Sequence, residues 1–428
     1  MRILCYCIFL KVALGGLQIA VHAQDTLSLE RCLTIAAQNS PALRSADNEI
    51  RSVQLVQSEL GTTRLPQLKL SLGASYAPIP PTFGYDAIIS NGGEVAGQIV
   101  LTQSLYDGGV RSLKSDQLQN DRERFARERR RTERDLRYEV MTAFIEALRA
   151  QQEVVLQRSN LDQLTGYLEL VRRLYNGGSV GYTDLLTTQV QLSSASVSYQ
   201  KALEASAVMK YTLAGIIGTP IDTATHFIGS LEDTLGNQHE LNLTNSLELE
   251  ISAFDINRSN LDVELARHER NPVFSFFGDA GYLGSFQNYQ LPAADRVRAL
   301  GYSVGITMEL PVMNWGATEL RIEERELATD ILRSQQELLR RSLLTEYQNT
   351  KLRLGNARSR LRSIRASIAN AEENFLLTKS KYAGGGALAI EVLAAQQLFT
   401  DTKLSELQTL GDIQSLAGKL EQLTTKYQ

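Results

Sequence analysis

The sequence predicts a mostly α-helical, internally duplicated chain with four β-strands in a membrane. Three observations support this fold class: an apolar N-terminal segment, a match between the two halves of the chain, and four segments of alternating apolar and polar residues. Such segments, about 10 residues long, have the pattern of bilayer-spanning strands, although a half-buried soluble sheet has the same period.

Residues 1–23 are predicted to be a secretory signal peptide. Arg2 supplies a positive charge, residues 3–21 are mostly apolar, and Val21 and Ala23 are small residues before a possible cleavage site. After this segment the sequence has no run of about 18 apolar residues, so no transmembrane helix is predicted. An exported chain of this kind is either soluble or a β-type membrane protein.

Composition disfavours several function classes. The chain has 44 basic residues; without Arg2 and Lys11 of the signal peptide, 42 remain beside 48 acidic residues, a net charge of −6. That balance does not favour nucleic-acid binding. Cys32 is the one cysteine outside the signal peptide, so no disulfide can form within the mature chain. The histidines lack metal-ligand spacing and no catalytic constellation stands out, so we expect no enzyme, cofactor or metal.

The two halves of the mature chain correspond at a spacing near 206 residues, with a one-residue slip. Pro66, for example, corresponds to Pro272. We assign the first repeat to residues 24–235 and the second to residues 236–428. Each is expected to contain a helix, two strands, a very long helix, a glycine-rich turn and a further long helix.

Proline placement and heptad spacing predict the very long helices. No proline occurs between Pro81 and Pro220. Apolar residues from Leu136 to Tyr175 recur at alternating spacings of four and three, which indicates coiled-coil-like packing. At 1.5 Å per residue, residues 107–175 would span on the order of 100 Å.

The first long helix also carries a cluster of arginines interleaved with acids. The arginines are Arg122, Arg124, Arg127, Arg129, Arg130, Arg131, Arg134 and Arg137. The mixed signs favour a solvated, salt-bridged helix face over a nucleic-acid patch.

Strands are predicted at about residues 67–77, 95–106, 273–283 and 301–312. Lys69, Asp279 and Glu309 lie on their polar faces and are interpreted as lumenal. Four strands cannot close a membrane barrel, because the smallest have about eight. Open edges are not tolerated in lipid, so the barrel must be shared between subunits. A dimer would supply eight strands and a trimer twelve; the pattern leaves both open.

Two motifs occur twice and in the same order. Residues 103–109 (QSLYDGG) and 310–316 (LPVMNWG) join a strand to a long helix, and residues 174–186 (LYNGGSVGYTDLL) and 381–393 (KYAGGGALAIEVL) follow the long helices. With these motifs, essentially all of the mature sequence resembles the TolC family of outer-membrane efflux proteins.

The resemblance implies a homotrimer in the outer membrane of a Gram-negative bacterium. Its expected parts are a twelve-stranded β-barrel in contact with outer-membrane lipid and a periplasmic α-barrel. The closed tip would open on docking to a periplasmic adaptor and an inner-membrane pump, as the exit duct of a tripartite efflux or type I secretion system. The alternative is an exported periplasmic coiled-coil scaffold without a channel.

Asp184, Glu391 and Tyr382 are the candidate gate and constriction residues. Both acids lie in the first turn of a returning helix, where a carboxylate either interacts favourably with the helix dipole, by about 0.3–1 kcal/mol, or lines a cation-selective mouth. Both interpretations stay open here. The resemblance implies an arginine near Tyr382, but Ala387 stands at that position.

The tip glycines Gly177, Gly178, Gly384 and Gly385 are predicted to be turn residues that permit positive φ. The resemblance adds that these turns dock the adaptor.

Overall fold

The computed structural model describes residues 26–77, 92–232, 246–286 and 298–424. The predicted signal peptide and most of each loop between paired strands lie outside these ranges. The chain forms two compact units. Of the described residues, the first comprises 26–36, 143–232 and 364–411, and the second comprises 37–77, 92–142, 246–286, 298–363 and 412–424.

Three helices of the first repeat have the same lengths as their counterparts in the second. The described elements are β1 (Thr26–Ser28), α1 (Leu29–Asn39), α2 (Pro41–Thr62), β2 (Gln67–Ala77), β3 (Gly92–Asp107), α3 (Val110–Asn176), α4 (Tyr182–Ile217), β4 (His226–Ile228), α5 (Leu247–His268), β5 (Val273–Phe286), β6 (Arg298–Glu309), α6 (Ala317–Ala383) and α7 (Ala389–Thr424). Helices α2 and α5 have 22 residues each, α3 and α6 have 67, and α4 and α7 have 36. This equality confirms the internal duplication.

The second unit contains a four-stranded antiparallel sheet in the order β2-β3-β5-β6. Strand β3 begins three residues before its predicted start, and β6 ends at Glu309 rather than at residue 312. Pro311 accounts for this end, because proline has no N–H to continue a ladder. The predicted strand boundary at residue 312 is therefore wrong.

A two-stranded sheet in the first unit was not predicted. Strands β1 and β4 pair in parallel, with Leu27 opposite Phe227. The Gln151 side chain donates to the Phe227 carbonyl at 3.2 Å and accepts from its N–H at 2.9 Å, in the manner of a neighbouring strand. Strands of three residues are too short for alternation to reveal them.

The heptad stripe of α3 is buried or half-buried, except at its end. Val140, Ala147 and Val171 are fully buried. Tyr175, expected to close the stripe, is 38% exposed, and its ring centroid lies 5.7 Å from that of Tyr182.

Several arginines of α3 form an interface with α5 rather than a solvated face. Arg124 pairs with Asp255 at 2.5 Å and Arg127 pairs with Glu250 at 2.7 Å. Arg134, whose side chain is 7% exposed, bonds Glu248 at 2.5 Å. Since carboxylates on α5 compensate these charges, the two helices pack through ion pairs.

Candidate functional site

The two glycine-rich turns have the same backbone. After α3, the Ser179 N–H donates to the Leu174 carbonyl at 2.8 Å, and the Gly178 N–H donates to the Tyr175 carbonyl at 2.9 Å. After α6, Gly386 and Gly385 make the corresponding bonds to Lys381 and Tyr382 at 2.8 and 3.0 Å. These paired bonds define a Schellman C-cap, which places one residue in the left-handed region.

Gly178 and Gly385 occupy that left-handed position, with φ of +76° and +79°. Any other residue there would be strained, by about 1–2 kcal/mol. Gly177 and Gly384 do not have positive φ, and a Cβ on either would meet its nearest atom at 3.5 Å or beyond. All four glycines lie in the turns, and only Gly178 and Gly385 use the positive φ that glycine permits.

Asp184 lies close to Tyr382. Asp184 is half-buried in the first turn of α4, and the Tyr382 hydroxyl donates to its Oδ2 atom at 3.4 Å. Tyr382 is 3% exposed and belongs to an apolar cluster with Val171, Leu185 and Val392. The hydrogen bond is long, but it is held inside a packed core.

Tyr167 is a third member of this group, and the sequence analysis missed it. Its ring centroid lies 5.5 Å from that of Tyr382. Its buried hydroxyl has no hydrogen bond of good geometry among the described residues. Burial, together with the neighbouring Tyr382 and Asp184, raises the pKa of Tyr167. Burial and Asp184 likewise raise the pKa of Tyr382, so both hydroxyls stay protonated through the neutral range.

Glu391 has a different environment from its repeat equivalent Asp184. Its Oε2 atom accepts the Leu388 N–H at 3.1 Å, which is the bond that the third helical residue makes in a capping box. Glu391 is exposed. Ala387, which occupies the position where an arginine was expected, packs against the apolar cluster.

The strand registers place most of the large apolar side chains of the four strands on one face of the sheet, although Val100 and Phe277 lie on the other. Leu70 lies opposite Ile99, Ile99 opposite Ala280, and Ala280 opposite Tyr302. Cross-strand partners share a face, so the alternation seen in each strand adds up to one surface. The large side chains Leu68, Leu70, Leu72, Ile99, Tyr302, Val304 and Ile306 are exposed on it.

Leu105 departs from the predicted alternation. Ser104 pairs with Ser275 and Tyr106 with Phe274, so Leu105 is the extra residue of a β-bulge. After the bulge Tyr106 takes the apolar face, and its ring centroid lies 6.3 Å from that of Phe274.

The opposite face carries the predicted polar residues. Asp279 accepts hydrogen bonds from Gln98, at 3.4 Å, and from Ser303. Lys69 pairs with Val100, which in turn pairs with Asp279, so Lys69 lies on the same face. Glu309 also lies on this face, because it pairs with Val273, six residues before Asp279 in β5.

No helix in the described ranges is both long and apolar enough to cross a membrane. Within the same ranges, no three histidine, cysteine or carboxylate side chains are grouped so that they could hold a metal ion. Cys32 is buried, and burial raises the pKa of its thiol to about 11, as expected for a packing residue rather than a nucleophile.

Long antiparallel helix pairs closed by glycine turns, joined to a sheet with one exposed apolar face, are typical of channel proteins of the bacterial outer membrane. A sequence model of the family described as "Outer membrane efflux protein" matches residues 33–219 and 240–425. The chain therefore belongs to this family of outer-membrane channels, which are not enzymes. Membership confirms the family resemblance, the outer-membrane localisation and the channel function, and it sets aside the scaffold alternative.

Individual relatives agree with this assignment. The chain is 26% identical to the pyoverdine export outer membrane protein OpmQ of Pseudomonas aeruginosa, over 91% of this chain and 85% of that protein. It is 23% identical to the proteases secretion protein PrtF of Dickeya chrysanthemi, over 91% and 87%. The crystal structure of the outer membrane protein VceC from Vibrio cholerae has the same fold, with a TM-score of 0.74 and 16% identity over 94% of this chain and 97% of that one.

Proposed function

We propose that three copies of this chain join their sheets into a twelve-stranded barrel in the outer membrane. The main support is the single exposed apolar face formed by the strand registers, which suits contact with lipid. In the order β2-β3-β5-β6, strands β2 and β6 are the edges, so each would pair with the neighbouring copy. Closure is required because lipid does not tolerate open sheet edges.

The assembled duct would conduct cargo passively from an inner-membrane pump, through a periplasmic adaptor, to the outside. One relative is named for protease secretion and another for pyoverdine export. Both proteins and small molecules are therefore candidate cargo, in an efflux or a type I secretion system. The two glycine-rich turns, exposed at Gly178 and Gly385, are the proposed docking points for the adaptor.

Asp184 and Tyr382 are proposed to latch the periplasmic end of the duct closed. Their hydrogen bond ties the start of α4 to the end of α6, so opening would break it. In a trimer, three copies of the exposed Glu391 would lie around the axis and favour cations.

Reconstitution of the mature chain in a planar lipid bilayer tests the channel proposal. We expect discrete conductance steps, a trimeric mass in detergent, and surface labelling of intact cells through a tag in the loop at residues 78–91. A monomer that gives no conductance would contradict the proposal.

The adaptor proposal has a matched pair of variants. Gly386 does not have positive φ, so Gly386→Glu adds a charge without breaking the turn. Ser193→Glu adds the same charge on an exposed part of α4 away from the turn. We expect only Gly386→Glu to reduce adaptor co-purification; equal recovery with both variants would argue against docking at the turns.

A further inference from the structure

Trp315 stands in a turn that glycine would fit better. The Ala317 N–H donates to the Asn314 carbonyl at 3.1 Å, which closes a turn of residues 314–317. The two central residues, Trp315 and Gly316, have φ of +55° and +83°. This is the type I′ pattern, which prefers glycine, asparagine or aspartate. A bulky side chain at positive φ is strained, so the turn holds Trp315 at a conformational cost.

The corresponding turn of the first repeat has glycine at both positions. Gly108 and Gly109 have φ of +70° and +89°, and a Cβ on Gly108 would lie 2.9 Å from the Asn271 Cβ atom. A side chain therefore has no room there. Trp315 is instead 88% exposed. The second repeat thus places the chain's one tryptophan where glycine would relieve strain and where the side chain faces away from its own protomer.

Exposed apolar side chains connect Trp315 with the apolar face of the sheet. These are Ile306, Met308, Leu310, Val312 and Met313. In the proposed barrel this face meets lipid, and residues 310–315 leave it on the periplasmic side, where β6 leads to α6. Indole combines a large apolar surface with one N–H donor, and tryptophan is enriched at membrane–water interfaces for that reason.

We infer that Trp315 is a membrane anchor that inserts into the phospholipid headgroup layer of the periplasmic leaflet and fixes the depth of β6 in the bilayer. The inference rests on the proposed function, because it takes the apolar face of the sheet as the face that meets lipid. The alternative is that Trp315 contacts the neighbouring copy instead of lipid, because the β2 strand of that copy would pair with β6.

Fluorescence tests the anchor directly, because Trp315 is the one tryptophan of the chain. The mature protein is reconstituted in phosphatidylcholine vesicles that carry bromine either near the headgroup or near the end of the acyl chains. Bromine quenches tryptophan on contact. We expect a blue-shifted emission relative to the denatured chain, and a larger loss of emission with the shallow bromine than with the deep one.

A second reporter separates failure of the anchor from failure of the proposed function. In the Trp315→Phe background, Ile306→Trp places the probe on the apolar face of β6, where deep bromine should quench it. If that probe is quenched and Trp315 is not, the sheet lies in the membrane and Trp315 contacts the neighbouring copy or water, which overturns the anchor. Stronger quenching of Trp315 by deep bromine would also overturn it. If neither probe is quenched, the membrane-facing assignment of the sheet fails as well.

Discussion

The turn after α3 and the turn after α6 share a backbone and differ in their chemistry. Gly178 and Gly385 hold the same left-handed position. Six residues after each of these glycines, however, the surroundings diverge: Asp184 accepts a hydrogen bond from the buried Tyr382, whereas Glu391 is exposed and caps its own helix. Two positions that correspond in sequence therefore belong to different kinds of site.

The comparison separates what the duplicated backbone requires from what side chains are free to change. Positive φ at the turns admits only glycine without strain, so both repeats keep it there. Backbone geometry does not determine which acids and tyrosines lie beside the turns, because each of these side chains needs only a hydrogen-bonding partner. The junction turns are an exception to this rule, because Trp315 of the second repeat has the positive φ that Gly108 has in the first, at a conformational cost.

Among equivalent positions of the two repeats, we expect Arg134 and Arg341 to differ most in how much their substitution lowers the free energy of unfolding. The Arg134 side chain is 7% exposed and bonds Glu248, whereas Arg341 is 72% exposed and pairs with Glu337 one turn away. Removal of one partner of a buried ion pair costs about 3–5 kcal/mol, and an exposed helical pair contributes about 0.3–0.5 kcal/mol. Chemical denaturation of Arg134→Ala and Arg341→Ala should reproduce this order; equal losses would show that the two helices pack alike.

The Arg134 effect should also depend on pH. Burial opposes ionisation of Glu248, but hydrogen bonds from Arg134 and Ser246 outweigh it, so the pKa of Glu248 lies below its ordinary value. A lowered pKa gives stability above the unfolded pKa, about 4.3, and this stability is lost as pH falls through the folded pKa. The difference between wild type and Arg134→Ala in the free energy of unfolding should therefore shrink as the pH is lowered below about 4.

The strands should respond alike in both repeats. Ile99→Arg and Ile306→Arg each put a charge on the apolar face, at a cost of about 2–4 kcal/mol near the bilayer midplane. Thr307→Arg puts the same charge on the opposite face and should be tolerated better. The amount of each variant assembled in the outer membrane measures this, and similar assembly of all three would contradict the assigned faces.

The turn glycines should also behave alike across the repeats. Gly178→Ala and Gly385→Ala should each lower the free energy of unfolding by about 1–2 kcal/mol, because alanine is strained at positive φ. Gly384→Ala is the control, since its backbone conformation suits alanine, and it should be neutral or slightly stabilising. Parallel urea titrations decide the matter, and a loss for Gly384→Ala as large as that for Gly385→Ala would argue against the assigned turn.

Most of the fold could be predicted from regular patterns in the sequence. The heptad stripe reaches Val171 and the strand alternation reaches Ser104, because each follows from local periodicity. Features that depend on a distant partner were not visible: the β1–β4 pair, the Leu105 bulge, and Tyr167 beside the stripe. Asp184 and Glu391 occupy equivalent positions, so their different partners could be read only from the packed helices.

The division between the proposed latch at Asp184 and the helix cap at Glu391 is tested most directly by single-channel recording of Tyr382→Phe, beside Glu391→Gln. Tyr382→Phe removes one hydroxyl and keeps the ring that packs on Tyr167. A hydrogen bond of about 1 kcal/mol corresponds to about a fivefold change in the ratio of closed to open channels. We expect Tyr382→Phe to raise the open probability and Glu391→Gln to leave it close to wild type. An unchanged open probability in Tyr382→Phe, or an equal rise in Glu391→Gln, would contradict the division.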